Sequence, residues 1–261
     1  MIMKAITDRL ANVDGDIGIS YIDLTTEKRL TFGNRRIFPS GGLIMLMVLV
    51  ECFKAMEEGR LTSKSCYSLK RSDIGDKLTY SYGVLQYLHE NIELTVEDLC
   101  NLMVTVSDNV ACNILIDMLG MSRINRTFLE LGFEKMYIQR KIYDFEKIES
   151  GFENYISVDD VASVFERMYK GQLISDDSSK KMISLMEQHQ KTRIIPDMFK
   201  DRIRIAHLTS YDDMDVIDAG IVFAERPFVL VMAASRMDSR KAEPILRDIT
   251  KICYLKTQGL Q

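Results

Sequence analysis

The sequence contains no long hydrophobic run. Its longest apolar stretch, from Leu43 to Val50, has eight residues, whereas a helix that crosses a bilayer needs about 20. Charged residues of both signs are mixed along the chain without blocks of one sign, and the net charge is −4. These absences argue against a membrane protein and against a surface that binds the phosphates of a nucleic acid.

Cysteine and histidine are scarce and scattered. The cysteines form no Cys-x-x-Cys pair, so the sequence predicts neither a zinc site nor a disulfide framework, and no cofactor is expected. We expect small buried thiols in a reducing compartment. The cysteines are Cys52, Cys66, Cys100, Cys112 and Cys253. The histidines, which show no metal-ligand spacing and are expected to be structural, are His89, His189 and His207.

The N-terminal segment lacks the pattern of a signal peptide. It carries charges at Lys4, Asp8 and Arg9 and has neither an apolar stretch nor a small-residue cleavage site. If Met1 is the true start of the chain, a cytoplasmic location is expected.

A chain of 261 residues with 46% hydrophobic residues can bury a sizeable core. Its hydrophobic periodicity predicts strands near both ends and helices between them. The predicted strands are 17–24, 29–32, 203–206, 216–223 and 228–234. The predicted helices are 2–13, 42–57, one opened by a capping box at Thr95, 109–119, 122–131, 158–169 and 243–254. Residues 139–155 have no clean period and are predicted to form a long loop.

Strands at both ends that enclose a helical middle imply an antiparallel sheet built from the two termini. The predicted fold class is therefore α/β, in a two-lobed α+β arrangement. Residues 1–37 and 195–261 are predicted to form the α/β lobe, and residues 38–194 the inserted helical lobe.

Three short motifs occur in an informative order. Residues 38–45 read Phe-Pro-Ser-Gly-Gly-Leu-Ile-Met, residues 107–109 read Ser-Asp-Asn, and residues 207–210 read His-Leu-Thr-Ser. They resemble, in turn, the Phe-Pro that precedes Ser-x-x-Lys, the Ser-Asp-Asn motif and the His-Lys-Thr-Gly motif of class A β-lactamases. The chain thus resembles a degenerate member of the class A β-lactamase and serine penicillin-recognising (DD-peptidase) family. The resemblance implies that family's two-lobed fold.

The resemblance assigns the family's nucleophile to Gly42 and its general base to Met45. Glycine has no side chain to acylate, and a thioether cannot act as a base at neutral pH. Gly42 retains its backbone N–H, which the resemblance places in the oxyanion hole. In the third motif, Leu208 replaces the lysine that holds a substrate carboxylate and Ser210 replaces a glycine, whereas Thr209 is kept.

The second motif has two interpretations. The resemblance implies that Ser107 and Asn109 face the cavity and that Asp108 is structural. The same residues also fit an ordinary helix N-cap, with Ser107 or Asp108 as the capping residue.

The family's loop glutamate has no counterpart in the direct register. When Arg140 is aligned with the loop arginine of the family, the glutamate position falls on Ile142. Asp144 and Glu146 reach that position only through a shift in register. We interpret both acids as ion-pair partners on the loop surface.

These observations support three hypotheses for the function. The first is a β-lactamase-like pseudoenzyme, without nucleophile, general base or carboxylate anchor, that binds a small molecule or a partner in the remnant cavity. The second is an active serine hydrolase of the β-lactamase or DD-carboxypeptidase type, which requires a misregistered or engineered-out nucleophile. The third is a protein-interaction module. The sequence leaves the ligand and the oligomeric state open.

Overall fold

A computed structural model describes residues 2–33, 35–74, 82–199 and 203–260. The strands are β1 (Asp16–Asp23), β2 (Arg29–Gly33), β3 (Ile37–Pro39), β4 (Cys66–Ser68), β5 (Glu93–Thr95), β6 (Tyr155–Ser157), β7 (Ile205–Tyr211), β8 (Asp215–Val222) and β9 (Phe228–Ser235). The helices are α1 (Ile2–Leu10), α2 (Ile44–Glu57), α3 (Arg71–Ile74), α4 (Val96–Thr105), α5 (Asn109–Leu119), α6 (Met121–Glu130), α7 (Phe145–Glu149), α8 (Val158–Tyr169), α9 (Asp176–Met186) and α10 (Ser239–Thr257). Short 3₁₀ turns span Gly41–Leu43, Leu85–Tyr87 and Pro196–Met198.

Contacts divide the chain into two compact units. A sheet unit comprises Met1–Leu43, Ile156–Glu187 and Lys191–Gln261, and a helical unit comprises Ile44–Tyr155 and Gln188–Gln190. The predicted boundary put residues 38–194 in the helical lobe. The observed boundary differs from this prediction, because α8 and α9 pack on strands of the sheet and therefore belong to the sheet unit.

An antiparallel sheet of five strands forms the sheet unit, in the order β2-β1-β9-β8-β7. It joins strands from both ends of the chain, as the sequence predicts. One face packs on α1 and α10 through a core that includes Ile19, Met232 and Leu246. The helix α8 packs on β1, β8 and β9. The outer strand β7 carries the third motif.

The helical unit is built around α2, whose residues from Ile44 to Cys52 are all buried. This helix packs on α4, α5 and α6. A capping box at Thr95 opens α4, as predicted, because the Thr95 and Asp98 side chains each bind the other residue's backbone N–H. The core position of α2 explains why its first half has no polar face.

Three predictions about local structure need correction. Residues 139–155 are not a plain loop, because they contain α7 and reach the start of β6. Helix α9 was not predicted, because its buried face includes the small polar residues Ser178 and Ser179. The strand predicted at 203–206 continues to Tyr211, through residues that are polar but buried.

The cysteines also depart from expectation at one position. Cys52, Cys100, Cys112 and Cys253 are buried, but Cys66 on β4 is exposed. All five thiols are free. Across the described ranges, no helix combines the length and the apolar character that a membrane span requires.

A buried hydrogen bond joins the sheet to the closing helix. The Tyr21 hydroxyl on β1 lies 2.7 Å from Thr257 Oγ1 on α10. Thr257 Oγ1 donates its own proton to the carbonyl oxygen of Cys253, so Tyr21 is the donor in the first bond. Burial raises the pKa of Tyr21 to about 12, because the phenolate would lose its hydration.

This geometry predicts a stability profile for Tyr21→Phe. At pH 7 the variant loses one buried hydrogen bond and about 1 kcal/mol of unfolding free energy. The pKa of Tyr21 is higher in the folded state than in the unfolded chain, so its stabilising contribution is present below pH 10 and is lost as the pH rises towards 12. The wild type should therefore lose about 2–3 kcal/mol between pH 10 and 12 that the variant retains. Urea titrations of both proteins from pH 8 to 12 measure this difference, and parallel curves would contradict it.

Candidate active site

The turn that precedes α2 holds the nucleophile position. Pro39 ends β3, the buried Ser40 follows, and the 3₁₀ turn Gly41–Leu43 leads into the helix. Gly41 has φ +47, a left-handed backbone that favours glycine, and a Cβ there would overlap Ser210 Oγ. Gly42 N–H donates to Ser210 Oγ at 2.8 Å. The structure therefore brings two of the predicted site residues, Gly42 and Ser210, into direct contact.

Packing does not require a glycine at position 42. A Cβ built on Gly42 would lie 3.5 Å from Ser210 Oγ and 3.7 Å from Ser210 Cβ, which is ordinary van der Waals contact. The φ angle of Gly42 is not in the left-handed region. A Cβ therefore fits at position 42, and crowding around that atom does not explain the glycine.

Met45, at the position of the general base, lies in the first turn of α2. It is 2% exposed and belongs to the helical unit. Its thioether is a core side chain, as expected for a methionine in a buried helix.

The third motif lies inside β7. Leu208 is buried, and Thr209 Oγ1 donates to the carbonyl oxygen of Lys191 at 3.0 Å. Ser210 is 6% exposed and accepts the Gly42 N–H described above. Burial lowers the pKa of the Lys191 ammonium group, because the charged form is partly desolvated beside the strand.

A buried polar network behind β7 escaped the sequence interpretation. His207 Nδ1 lies 3.0 Å from Asp218 Oδ1 on β8 and 3.3 Å from Thr209 Oγ1. Since the Thr209 hydroxyl donates to Lys191, it can only accept from His207, so Nδ1 carries the proton. Asp218 Oδ2 accepts the N–H of Ile195 at 2.9 Å. The available signal was Asp218 itself, a charged residue within an apolar strand.

The Ser-Asp-Asn motif forms the start of α5 in the helical unit. Asp108 Oδ1 accepts the N–H of Ala111, and Oδ2 accepts the N–H groups of Val84 and Leu85 at 2.6 and 2.9 Å. Asp108 is therefore the N-cap of α5, and it also binds the backbone at Val84 and Leu85, where the 3₁₀ turn Leu85–Tyr87 begins. The prediction that Asp108 is structural is confirmed.

Ser107 and Asn109 flank this cap. Ser107 is buried and has φ +56, an uncommon conformation for a residue with a side chain. With the Asn109 amide oriented so that its nitrogen faces the Ser107 carbonyl oxygen, the side chain donates to that oxygen at 3.3 Å and accepts the N–H of Tyr82 at 3.2 Å. Asn109 N–H also donates to the Tyr82 carbonyl oxygen. Both ends of the Asn109 amide thus bind backbone.

The segment with the predicted loop acids is held by asparagine side chains. Ile142 is the residue that the resemblance aligns with the family's glutamate. Its N–H donates to Asn113 Oδ1 at 2.9 Å, and its carbonyl oxygen accepts from Asn113 Nδ2 at 3.1 Å. Asp144 accepts the N–H of Lys147 and caps α7, and the ion-pair role expected for Asp144 and Glu146 stays a prediction. Glu146 is exposed.

The two remaining histidines, His89 and His189, each contact a backbone carbonyl oxygen. His89 Nδ1 lies 3.0 Å from the Glu90 carbonyl oxygen, and the buried His189 donates from Nδ1 to the Val104 carbonyl oxygen at 2.6 Å. No group of three histidine, cysteine, aspartate or glutamate side chains arranged to hold a metal occurs in the part of the chain that the structure describes.

The predicted site residues divide between the two units. Gly42, Leu208, Thr209 and Ser210 belong to the sheet unit, and Met45, Ser107 and Asn109 to the helical unit. Within the sheet unit, Gly42 meets Ser210. Within the helical unit, Ser107 meets Asn109.

Comparison with known proteins identifies the family. The Beta-lactamase enzyme family matches residues 1–256 of the sequence. The chain belongs to this family. A relative among characterised proteins is Beta-lactamase CARB-4 of Pseudomonas aeruginosa, 24% identical over 184 residues, which are 70% of this chain and 62% of the relative. Beta-lactamase PSE-4 of the same organism is 24% identical over 178 residues, or 67% of this chain and 60% of the relative. The matches therefore span about three fifths of these relatives' length.

Solved structures of the β-lactamase family match almost the whole fold. PBP-A superposes with a TM-score of 0.89 at 25% identity, covering 99% of this chain and 96% of that chain. A β-lactamase from Sphaerobacter thermophilus superposes with a TM-score of 0.88 at 24% identity, covering 100% of this chain and 98% of that chain. The two-lobed β-lactamase-like fold expected from the motifs is confirmed.

The cap at the Ser-Asp-Asn motif gives a stability prediction. Asp108→Ala leaves three backbone N–H groups without their acceptor and should lower the unfolding free energy by about 2–4 kcal/mol. Asp144→Ala is the matched control, because Asp144 caps only the short α7 and should cost about 0.5–1 kcal/mol. Urea denaturation of both variants measures the losses, and equal losses would contradict the role given to Asp108.

Proposed function

We propose that this β-lactamase-family protein does not carry out acyl transfer and that its active-site positions serve binding of a small molecule or a partner. The family reaction needs a nucleophilic hydroxyl, a base beside it and a cation for the substrate carboxylate. This chain has Gly42, the buried Met45 and the buried Leu208 at those positions. The missing groups lie in separate segments, which fits loss of the reaction better than one isolated substitution.

The observation that carries the proposal is the contact between Gly42 and Ser210. Position 42 has room for a Cβ but carries glycine, and the Gly42 N–H already donates to the Ser210 hydroxyl. The site therefore lacks a nucleophile, and the donor that would stabilise a developing oxyanion is engaged.

Substitute nucleophiles are poorly supported. Ser40 is 1% exposed and Ser107 is 3% exposed, so both hydroxyls are shielded from solvent. The loop position that would activate a water carries Ile142, whose side chain has no acid-base function. Loss of one member of a coupled catalytic unit costs nearly as much as loss of the whole unit.

Hydrolysis of penicillin G tests the lost reaction. A variant of PBP-A is known as an acyl-enzyme complex with penicillin G, which makes this compound the appropriate probe. We expect the hydrolysis rate with micromolar protein, purified from a host without β-lactamase, to equal the rate in buffer. Protein-dependent turnover that disappears in Ser107→Ala would contradict the proposal and identify the nucleophile.

Thermal unfolding tests the binding half of the proposal. A compound that binds only the folded state raises the melting temperature, because it adds a stabilising free energy that grows with the logarithm of its concentration relative to its Kd. We expect a library screen to yield such a compound, with a smaller shift in Thr209→Val and Leu208→Asp than in the wild type. Shifts that are equal in the variants would place the ligand elsewhere.

A further inference from the structure

The 3₁₀ turn that leads into α2 contains two backbone N–H groups, those of Gly42 and Leu43, whose acceptors are of different kinds. The first N–H groups of a helix have no intrahelical partner and need a cap, water or a ligand. Leu43 N–H donates to the Ser40 carbonyl oxygen at 2.9 Å, a local turn contact. Gly42 N–H donates to Ser210 Oγ at 2.8 Å, across 168 positions of sequence. Ser210, on strand β7, therefore supplies the acceptor for an N–H of the 3₁₀ turn Gly41–Leu43.

The contact is closely fitted. Ser210 is 6% exposed, and its side chain occupies the space where Gly41 would carry a Cβ. A Cβ at position 41 would overlap Ser210 Oγ, so that position requires glycine. A Cβ at position 42 would make only ordinary contact with Ser210. The hydroxyl is thus part of the packed interior at the helix start.

The neighbouring hydroxyl on the same strand is also engaged. Thr209 Oγ1 donates to the Lys191 carbonyl oxygen at 3.0 Å. Both polar side chains of this stretch of β7 therefore satisfy backbone groups of the protein itself. A ligand acceptor would have to displace the Ser210 hydroxyl to reach the Gly42 N–H.

We propose that the Ser210 hydroxyl is a built-in substitute for a ligand oxygen, and that it closes the Gly42 amide to carbonyl and oxyanion ligands. Ser210 is then a specificity-determining residue. Ligands that need this donor are excluded while the hydroxyl is in place, and Ser210→Gly opens the donor. This inference rests on the proposed function, because it explains why the loss of reaction goes beyond the missing side chains.

Amide hydrogen exchange tests the contact directly. In the wild type we expect the Gly42 amide to be protected, and in Ser210→Ala and Ser210→Gly to exchange about five- to tenfold faster, because its acceptor is gone. Ser235→Ala is the matched control, since Ser235 is a buried serine on the same sheet whose Oγ has no hydrogen-bond partner among the residues that the structure describes. NMR detection of Gly42 and of amides along α2 separates this effect from general loosening. Unchanged exchange at Gly42 in both Ser210 variants would overturn the inference.

Reconstruction tests the functional consequence. The variant Gly42→Ser/Met45→Lys/Leu208→Lys replaces the three missing groups, and a second variant adds Ser210→Gly. With penicillin G, the introduced serine oxygen would bond to the lactam carbonyl carbon and the ring C–N bond would break. The serine proton would pass through the introduced lysine to the ring nitrogen.

The expected result is acylation at least about tenfold faster when Ser210→Gly is included, a ratio that follows from freeing one oxyanion donor. Intact-mass spectrometry over time gives both rates. Equal, measurable rates in the two variants would overturn the inference. If neither variant acylates, the exchange result alone decides. Acylation of the wild type would instead overturn the proposed function and leave the exchange result to be judged separately.

Discussion

The structure depends on one constraint, that backbone N–H groups at the starts of buried helices must find acceptors. The 3₁₀ turn Gly41–Leu43 leads into helix α2, which is buried along its first nine residues. Ser210 provides the acceptor for Gly42 from a distant strand. At the start of α5 the acceptor is a neighbouring residue, because Asp108 accepts the N–H of Ala111 in the helix. Asp108 also accepts the N–H groups of Val84 and Leu85. These two helix starts fix the segments that carry the family motifs.

This constraint changes how the retained polar residues are understood. Thr209 and Asn109 match the family motifs, and a sequence comparison alone would treat them as retained chemistry. In the structure, Thr209 binds the Lys191 carbonyl and Asn109 binds the backbone of Tyr82 and Ser107. Both side chains bind backbone groups of the protein itself, and this structural role accounts for their presence without a catalytic one. The resemblance assigns the nucleophile, the general base and the carboxylate anchor to positions 42, 45 and 208, where this sequence has glycine, methionine and leucine.

The parts of the fold that follow from local signals could be predicted from the sequence. The two strands of the first hairpin and the capping box at Thr95 are encoded within a few residues of where they act. Helix α9 could not be predicted in this way, because small polar residues on its buried face weaken the apolar period. The extent of β7 follows from its pairing with β8, and the buried His207 on β7 contacts Asp218, which lies 11 positions later in the sequence. The contact between Gly42 and Ser210 has no local signal, and only the folded chain reveals it.

The central claim is that this chain has the β-lactamase fold without the means to form an acyl-enzyme. Intact-mass spectrometry of the wild-type protein, quenched with acid after prolonged incubation with penicillin G, tests this most directly. A covalent intermediate is detected even where turnover is too slow to measure. The account predicts the unmodified mass at every time point. A time-dependent adduct of penicillin G, mapped to a serine by peptide fragmentation, would contradict it.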